Sequence, residues 1–428
     1  MYALKHLVWL LFLISSQLHA QQRNLDFYIE KAKMNSPLIH KSEYEKKMIQ
    51  LDLEQINRIY SKPEVTAEAG VLFAPIISHD DNKSQFQLVT KDANDYTGYD
   101  LAVTDGGQYQ GIVSLRQGLL NKSKKDIYAE KADIDTRIND NNIELTVHEL
   151  ENVVKHQYII CLKSEKQAAG SLEIIGLLDD QLQTMKRLVE NAIYKQSDLM
   201  LLEITRRNYE QEYETYLAEY KSNIYDLNLI CGITENNEVQ LGEITFQQNP
   251  LILTPSRFLT SYYLDSLSVA TNLKISEIKY KPELFFFANG GMNAVYLPSF
   301  NRLGFSTGLT FGLTLYDGNQ RDIERHKSVI QYENIAFEKQ KSAEQNTIQK
   351  NFVLDKLNSL DKRILLTNKQ IEQYDKLMDL YKIQLANGEF SVMEYKYLVT
   401  EISSKKQEAV LLDMEKQIVI NAWNYWNY

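Results

Sequence analysis

The sequence predicts a mainly α-helical, internally duplicated protomer whose four β-strands belong to a membrane β-barrel that one chain cannot close. Three observations carry this reading: one plan of helix and strand repeated along the chain, long stretches without proline, and strict alternation of apolar and polar residues between helices.

The repeat comes first because it organises everything else. Residues 59–65 read IYSKPEV and residues 278–284 read IKYKPEL, so the triplets Lys62-Pro63-Glu64 and Lys281-Pro282-Glu283 fall where helix-like sequence gives way to alternation. The stretch GIVSLRQGLLNKSKKDI from Gly111 aligns without gaps on TGLTFGLTLYDGNQRDI from Thr307. The offset is 219 from Lys62 to Lys281 but 196 from Asp126 to Asp322, so 23 extra residues lie in the loop after Pro75. Ser197 against Ser391, at offset 194, supplies a third match. The plan places a first repeat at 21–231, an inter-repeat linker at 232–256 and a second repeat at 257–428.

All seven prolines fall at 37, 63, 75, 250, 255, 282 and 298, leaving 76–249 and everything after 298 free of helix breakers. Ile371, Tyr374, Leu377, Met378, Tyr381 and Leu385 recur at three and four residues, the spacing of one helix face. Helices over about 121–194 and 319–387 would extend roughly 110 and 100 Å at about 1.5 Å per residue. Shorter helices over about 24–60 and 198–230 would reach roughly 50 to 55 Å each. Such helices bury their apolar stripes along neighbours, including those of other subunits.

Strands are expected over about 63–74, 108–117, 282–297 and 302–316. In the last, Leu303, Phe305, Thr307, Leu309, Phe311, Leu313 and Leu315 alternate with Gly304, Ser306, Gly308, Thr310, Gly312, Thr314 and Tyr316, the first set suited to lipid and the second to a polar lumen. Val65, Ala67, Ala69, Val71 and Phe73 oppose Glu64, Thr66, Glu68 and Gly70 likewise. Ile112 interrupts the second strand's pattern, and Phe285-Phe286-Phe287 leaves the register of the third open. Four strands cannot close a barrel, and an open edge in lipid costs several kcal/mol per unpaired group, so several chains must contribute. A periplasmic sheet lying on the helices is the alternative. Tyr96, Tyr99, Tyr109, Tyr296 and Phe300 at one end, with Tyr60, Tyr280 and Tyr316 at the other, are candidates for aromatic girdles.

The first twenty residues read as an export signal: Lys5 and His6, an apolar run from Leu7 to Ile14, and Ala20 at its close. No lipidation motif accompanies it. Cys161 and Cys231 either pair or remain buried thiols, and their helical context favours the latter. A net charge of -10 and the lack of a basic, aromatic-interleaved stripe argue against nucleic acid. No nucleophile and base pair, phosphate loop or metal-ligand spacing emerges, so neither an enzyme nor a cofactor is expected. The loop at about 76–107 holds Asp80, Asp81, Asp92, Asp95, Asp100 and Asp105, which lack the order of a calcium loop and read as solvated acids.

The duplicated KPEV and KPEL junctions, the passage LTFGLTLYDGNQRD from Leu309 and the turn LANGEFSVMEY from Leu385 resemble the TolC-like outer-membrane efflux family over essentially the whole mature chain. The resemblance implies a homotrimer with a twelve-stranded barrel in the outer membrane, continued through the periplasm by a barrel of helices. It implies a barrel-to-helix junction at Leu120-Asn121 and Tyr316-Asp317-Gly318. It also implies periplasmic tips that dock an adaptor, at Ala192, Tyr194, Ser197 and Asp198 in one repeat and Ala386, Gly388 and Ser391 in the other. Matched on Gly388, the helix-ending glycine has Tyr194 as its counterpart, and a constriction ring falls on Glu394 with Tyr397 at the next position. The function implied is an exit duct fed by an inner-membrane pump through a periplasmic adaptor. The competing reading is a structural or adhesive coiled-coil protein of the envelope.

Overall fold

A computed structural model describes residues 23–88, 93–98, 108–235, 239–252, 256–295 and 303–428. The expected export signal lies outside these residues. The elements, in order, are α1 (Leu25–Asn35), α2 (Pro37–Ser61), β1 (Glu64–Leu72), β2 (Ile76–Ser78), β3 (Gln85–Gln87), β4 (Tyr96–Thr97), β5 (Gln108–Gly118), α3 (Lys122–Glu190), α4 (Gln196–Cys231), α5 (Thr260–Ser276), β6 (Glu283–Val295), β7 (Leu303–Gly312), α6 (Gln320–Ala386) and α7 (Val392–Trp426). The chain is mainly helical, and no described helix is long and apolar enough to cross a membrane. Where one helix over 24–60 is expected there are two, because Pro37 forces Ser36 into extended backbone (φ -70°, ψ 116°).

The chain divides into two compact units. One comprises 1–43, 140–261 and 338–428 and is built of long helices. Along α6 the buried residues Asn346, Val353, Leu360 and Thr367 step by seven, and Leu357, Met378 and Leu385 lie at multiples of seven from one another on the adjoining row, which is a coiled-coil seam. The face expected from Ile371 to Leu385 contributes here: Met378 and Leu385 are buried among Leu178, Leu182, Leu199, Leu202, Tyr395 and Leu398. A second core joins Tyr28, Val154, Tyr158 and Leu227 with Cys161 and Cys231, both buried free thiols. Burial pushes both thiols up, that of Cys231 to about 12. Gly232 (φ 64°) ends α4, and the segment at 239–252 is held by side-chain amides of α7 and of Asn427 directly after it. The N–H groups of Phe246, Asn249 and Ile252 donate to Gln417 Oε1, Asn424 Oδ1 and Asn427 Oδ1 at 2.7, 2.9 and 3.0 Å.

The other unit, 44–139 and 262–337, carries a four-stranded antiparallel sheet in the order β1-β5-β6-β7. A second, small sheet in the order β3-β2-β4 occupies the loop after β1. Strand β7 stops at Gly312 instead of running to 316, because Gly312 faces Glu283 and the next partner would be Pro282, which has no N–H to give.

Candidate functional site: the two-faced sheet, its junction and the helical tips

Register decides which side chains share a face. Val65, Ala67, Ala69 and Val71 pair with Leu115, Val113, Gly111 and Tyr109. These in turn align through Ala288, Gly290 and Met292 with Thr307, Phe305 and Leu303. One face is therefore apolar across all four strands, completed by Phe286 opposite Leu309 and Leu284 opposite Phe311. The other carries Glu64, Thr66, Glu68, Ser114, Arg116, Asn289, Ser306 and Thr310. The apolar face lies bare: Val71 is 75% exposed and Phe305 88%.

The Phe285 to Phe287 ambiguity resolves in this register. Phe286 joins the apolar face, whereas Phe285 lies under the Arg116 guanidinium, 4.0 Å from its ring centre, and Phe287 covers Gly308. Ile112, the residue out of pattern, sits on the polar face opposite Gly291.

At the junction, Asn121 Nδ2 donates to the carbonyls of Tyr60 (2.7 Å) and Gly118 (2.9 Å). Its counterpart Asp317 accepts from Tyr280 Oη (2.5 Å) and Lys279 Nζ (3.0 Å). The Tyr280 hydroxyl, and then Lys279, hold the Asp317 carboxyl below the usual carboxylate range, and Asp317 drives the Tyr280 hydroxyl up to about 12. Gly318 and Asn319, both left-handed (φ 75° and 63°), turn the chain into α6. Glu277 receives Arg321 and Arg325, a clamp that the sequence offers no motif to find. Leu120 and Tyr316 are exposed.

Of the expected girdles, Tyr99, Tyr296 and Phe300 lie outside the described residues. At the junction end, Tyr60 stacks on Tyr128 and Tyr280 is bound to Asp317, so only Tyr316 of the three stands free at the surface. In the first loop, Asp80 accepts the N–H groups of Asn94 (2.8 Å) and Asp95 (2.9 Å), which lower its pKa and make it a turn-former. Asp92, Asp100 and Asp105 lie outside the described residues.

The tips, in the helical unit, follow one geometry. After α3, Ala192 N donates to Val189 O and Ile193 N to Leu188 O; after α6, Gly388 N donates to Leu385 O and Glu389 N to Gln384 O. Every equivalent pair is 196 residues apart, and the left-handed residue is Ala192 (φ 55°) in one tip and Gly388 (φ 75°) in the other. The counterpart of Gly388 is therefore Ala192 and not Tyr194, because a helix ending of this kind needs its left-handed residue directly after the last turn. Likewise Ser391, whose Oγ caps Met393 N at 3.2 Å, corresponds to Lys195 and not to Ser197. The constant offset of 196 was the signal that could have found both.

Tyr194 has a different task. Its hydroxyl donates to Phe390 O (2.7 Å) and Leu385 O (3.2 Å), tying the first tip to the second, and burial raises its pKa. A Cβ at Gly388 would stand 2.6 Å from Ile193 Cγ2, so glycine serves both the turn and the packing there. Asp198 accepts Lys195 N at 3.0 Å, while Ser197 is exposed and Ala386 closes α6. Glu394 and Tyr397, three residues apart on α7, are both exposed. Since a left-handed L-residue costs roughly 1 to 2 kcal/mol, Ala192→Gly is expected to stabilise the chain by about 1 kcal/mol. Thermal unfolding of the purified protein checks this; an unchanged or lower midpoint contradicts it.

No family model and no curated protein matches the sequence. Solved structures do. The outer-membrane protein VceC from Vibrio cholerae matches at a TM-score of 0.67 and 11% identity over 94% of this chain and 95% of its own. CusC, described through its folding and transmembrane channel formation, matches at 0.72 and 8% identity over 95% and 92%. The open state of the Neisseria gonorrhoeae outer-membrane channel MtrE matches at 0.68 and 9% identity over 94% and 88%. At these identities the likeness is one of architecture, and the chain has the fold of the TolC-like outer-membrane channels.

Proposed function

We propose that this chain is one protomer of a homotrimeric outer-membrane channel, the exit duct of a tripartite efflux or type I secretion system. It passively conducts cargo handed over by an inner-membrane pump through a periplasmic adaptor. The observation that carries the reading is the sheet. Four strands present one continuous apolar face and one polar face, with β1 and β7 as open edges. In water the apolar face is unfavourable, and in lipid the open edges are, at several kcal/mol per unpaired group. Only closure with further copies removes both problems, and three copies supply twelve strands. The lipid then meets Val65, Val71, Phe305 and Leu309, while Glu68, Ser114 and Thr310 line the lumen.

Exposed apolar residues along α6, among them Ile348, Phe352, Leu366, Leu380 and Ile383, support the same assembly, since they lie off the buried seam and await helices of another copy. In this reading the tips at Ala192 to Asp198 and Ala386 to Ser391 receive the adaptor. Glu394, exposed near the second tip, faces the axis, where three carboxylates attract cations.

The test is conductance of the purified full chain in planar lipid bilayers. Discrete steps with cation preference are expected, and Glu394→Ala is expected to weaken that preference. Steps whose selectivity Glu394→Ala leaves untouched would remove the constriction assignment; an absence of steps from the wild type would sink the duct.

A further inference from the structure

The internal repeat extends to the hydrogen-bond register. Glu64 pairs with Arg116 in the first hairpin and Glu283 with Gly312 in the second. Moving the first pair by the two offsets legible in the sequence, 219 for its first strand and 196 for its second, lands on the second pair. Both hairpins are thus the same object, and whatever joins them inside the chain is a template for what lies outside it.

The inner seam is β5 against β6, with Val113 opposite Gly290, Leu115 opposite Ala288 and Arg116 opposite Phe287. Below the strands it is locked by three contacts: Leu119 N donates to Leu284 O (2.8 Å), Lys281 Nζ donates to Ser123 Oγ (2.6 Å), and Lys124 pairs with Glu283. The duplicated Lys-Pro-Glu junction of the second repeat is thereby fully used. In the first repeat it is not. Lys62 and Glu64 are exposed and make no side-chain hydrogen bond or ion pair among the described residues.

A second asymmetry points the same way. β5 overruns its partner β1 by Gln117 and Gly118, and these two residues pair with β6. β7 likewise carries its alternation past Gly312, through Leu313 to Leu315, but finds no strand partner there among the described residues, and Leu315 is 88% exposed. An overhanging strand end and an unused junction sit on opposite edges of one sheet.

We infer that β1 of one copy pairs antiparallel with β7 of the next in the register of the inner seam. Ala69 then stands opposite Phe311, Val71 opposite Leu309 and Glu68 opposite Gly312 of the neighbouring copy. Leu315 N donates to the neighbour's Val65 O. Lys62 and Glu64 take Asn319 and Gln320 of the next copy in place of Ser123 and Lys124. The chemistry matches: the Asn319 carbonyl oxygen accepts from an ammonium, and the Gln320 amide donates to a carboxylate. The faces match as well, since apolar Ala69 and Val71 meet apolar Phe311 and Leu309. At the helical level, Ile127 and Ala270 line one cleft, and their repeat counterparts Ile323 and Leu51 are both exposed.

This register rests on the barrel reading above, and the experiment separates the two. Ala69→Cys is combined in turn with cysteine at 309, 311 and 313 in the full-length chain in membranes, and oxidative cross-linking between copies is measured. Directly opposed Cβ atoms lie about 5 Å apart and diagonal ones about 7 to 8 Å, so the correct pair leads by several-fold. The buried native cysteines stay out of the reaction. The result expected is a maximum for Ala69→Cys with Phe311→Cys. A maximum at 309 or 313 overturns the register and leaves the barrel standing; no cross-link between copies at any of the three overturns both. Val71→Cys with Leu309→Cys is the second pair, expected to cross-link where Val71→Cys with Phe311→Cys does not.

Discussion

Leu309→Arg is expected to abolish recovery of the assembled protein from membranes. Leu309 lies on the apolar face opposite Phe286, well inside β7. Arginine on the lipid face of a barrel near the bilayer midplane costs about 2 to 4 kcal/mol, and in the trimer proposed above that cost recurs three times. The neighbouring Thr310→Arg puts the same charge on the polar face, opposite Phe285, and is expected to assemble. The contrast between adjacent positions is what matters, because both changes place the same charged side chain in one strand and differ in the face it enters. The measurement is the yield of a membrane-extracted oligomer for each variant. Loss only of Thr310→Arg would mean that the faces are assigned the wrong way round, and equal yields would mean that neither face meets lipid.

Gly291→Ala is the second change with a large expected effect. Gly291 faces Ile112 across the inner seam, and a Cβ there would run into the Gly111 carbonyl oxygen and stand 2.7 Å from Ile112 Cα. Both obstacles are main chain of the adjoining strand, so no side-chain rotation relieves them. Overpacking of this kind costs at or above roughly 3 kcal/mol when the neighbours cannot move. The sheet is expected to lose its pairing around β5 and β6, read as a marked drop in thermal stability. Gly290→Ala, one residue away with open space at its Cβ, is the matched control and should be near neutral. Similar behaviour of the two would show that the strands do not approach as closely as described.

How much of this was legible in the sequence differs from element to element. The alternation from Leu303 to Leu315 is readable because a strand with one apolar and one polar face writes both into consecutive residues. The Phe285 to Phe287 run is not, since the reason two aromatics tolerate the polar face lies on other strands: Arg116 over Phe285, and Gly308 under Phe287. A single strand cannot reveal what its neighbour covers.

The tips show a different limit. Glycine is an obvious helix-ending residue and Gly388 stands out, whereas Ala192 adopts the same left-handed conformation with no compositional mark. Seeking the glycine's counterpart by eye leads to Tyr194, whose own task, bridging two carbonyls of the other tip, comes only from tertiary packing. The break at Ser36 is the reverse case. Pro37 announces it, but the apolar pattern on either side reads through as one helix.

Electrophoresis of the membrane-extracted wild-type chain separates an assembled channel from a lone helical protein. Unheated, the protein should migrate as a compact trimer, and on boiling it should shift to a single band at the 49.7 kDa of one full chain, less any cleaved leader. A protein recovered from the soluble periplasmic fraction as a monomer, with the same migration before and after heating, would contradict it.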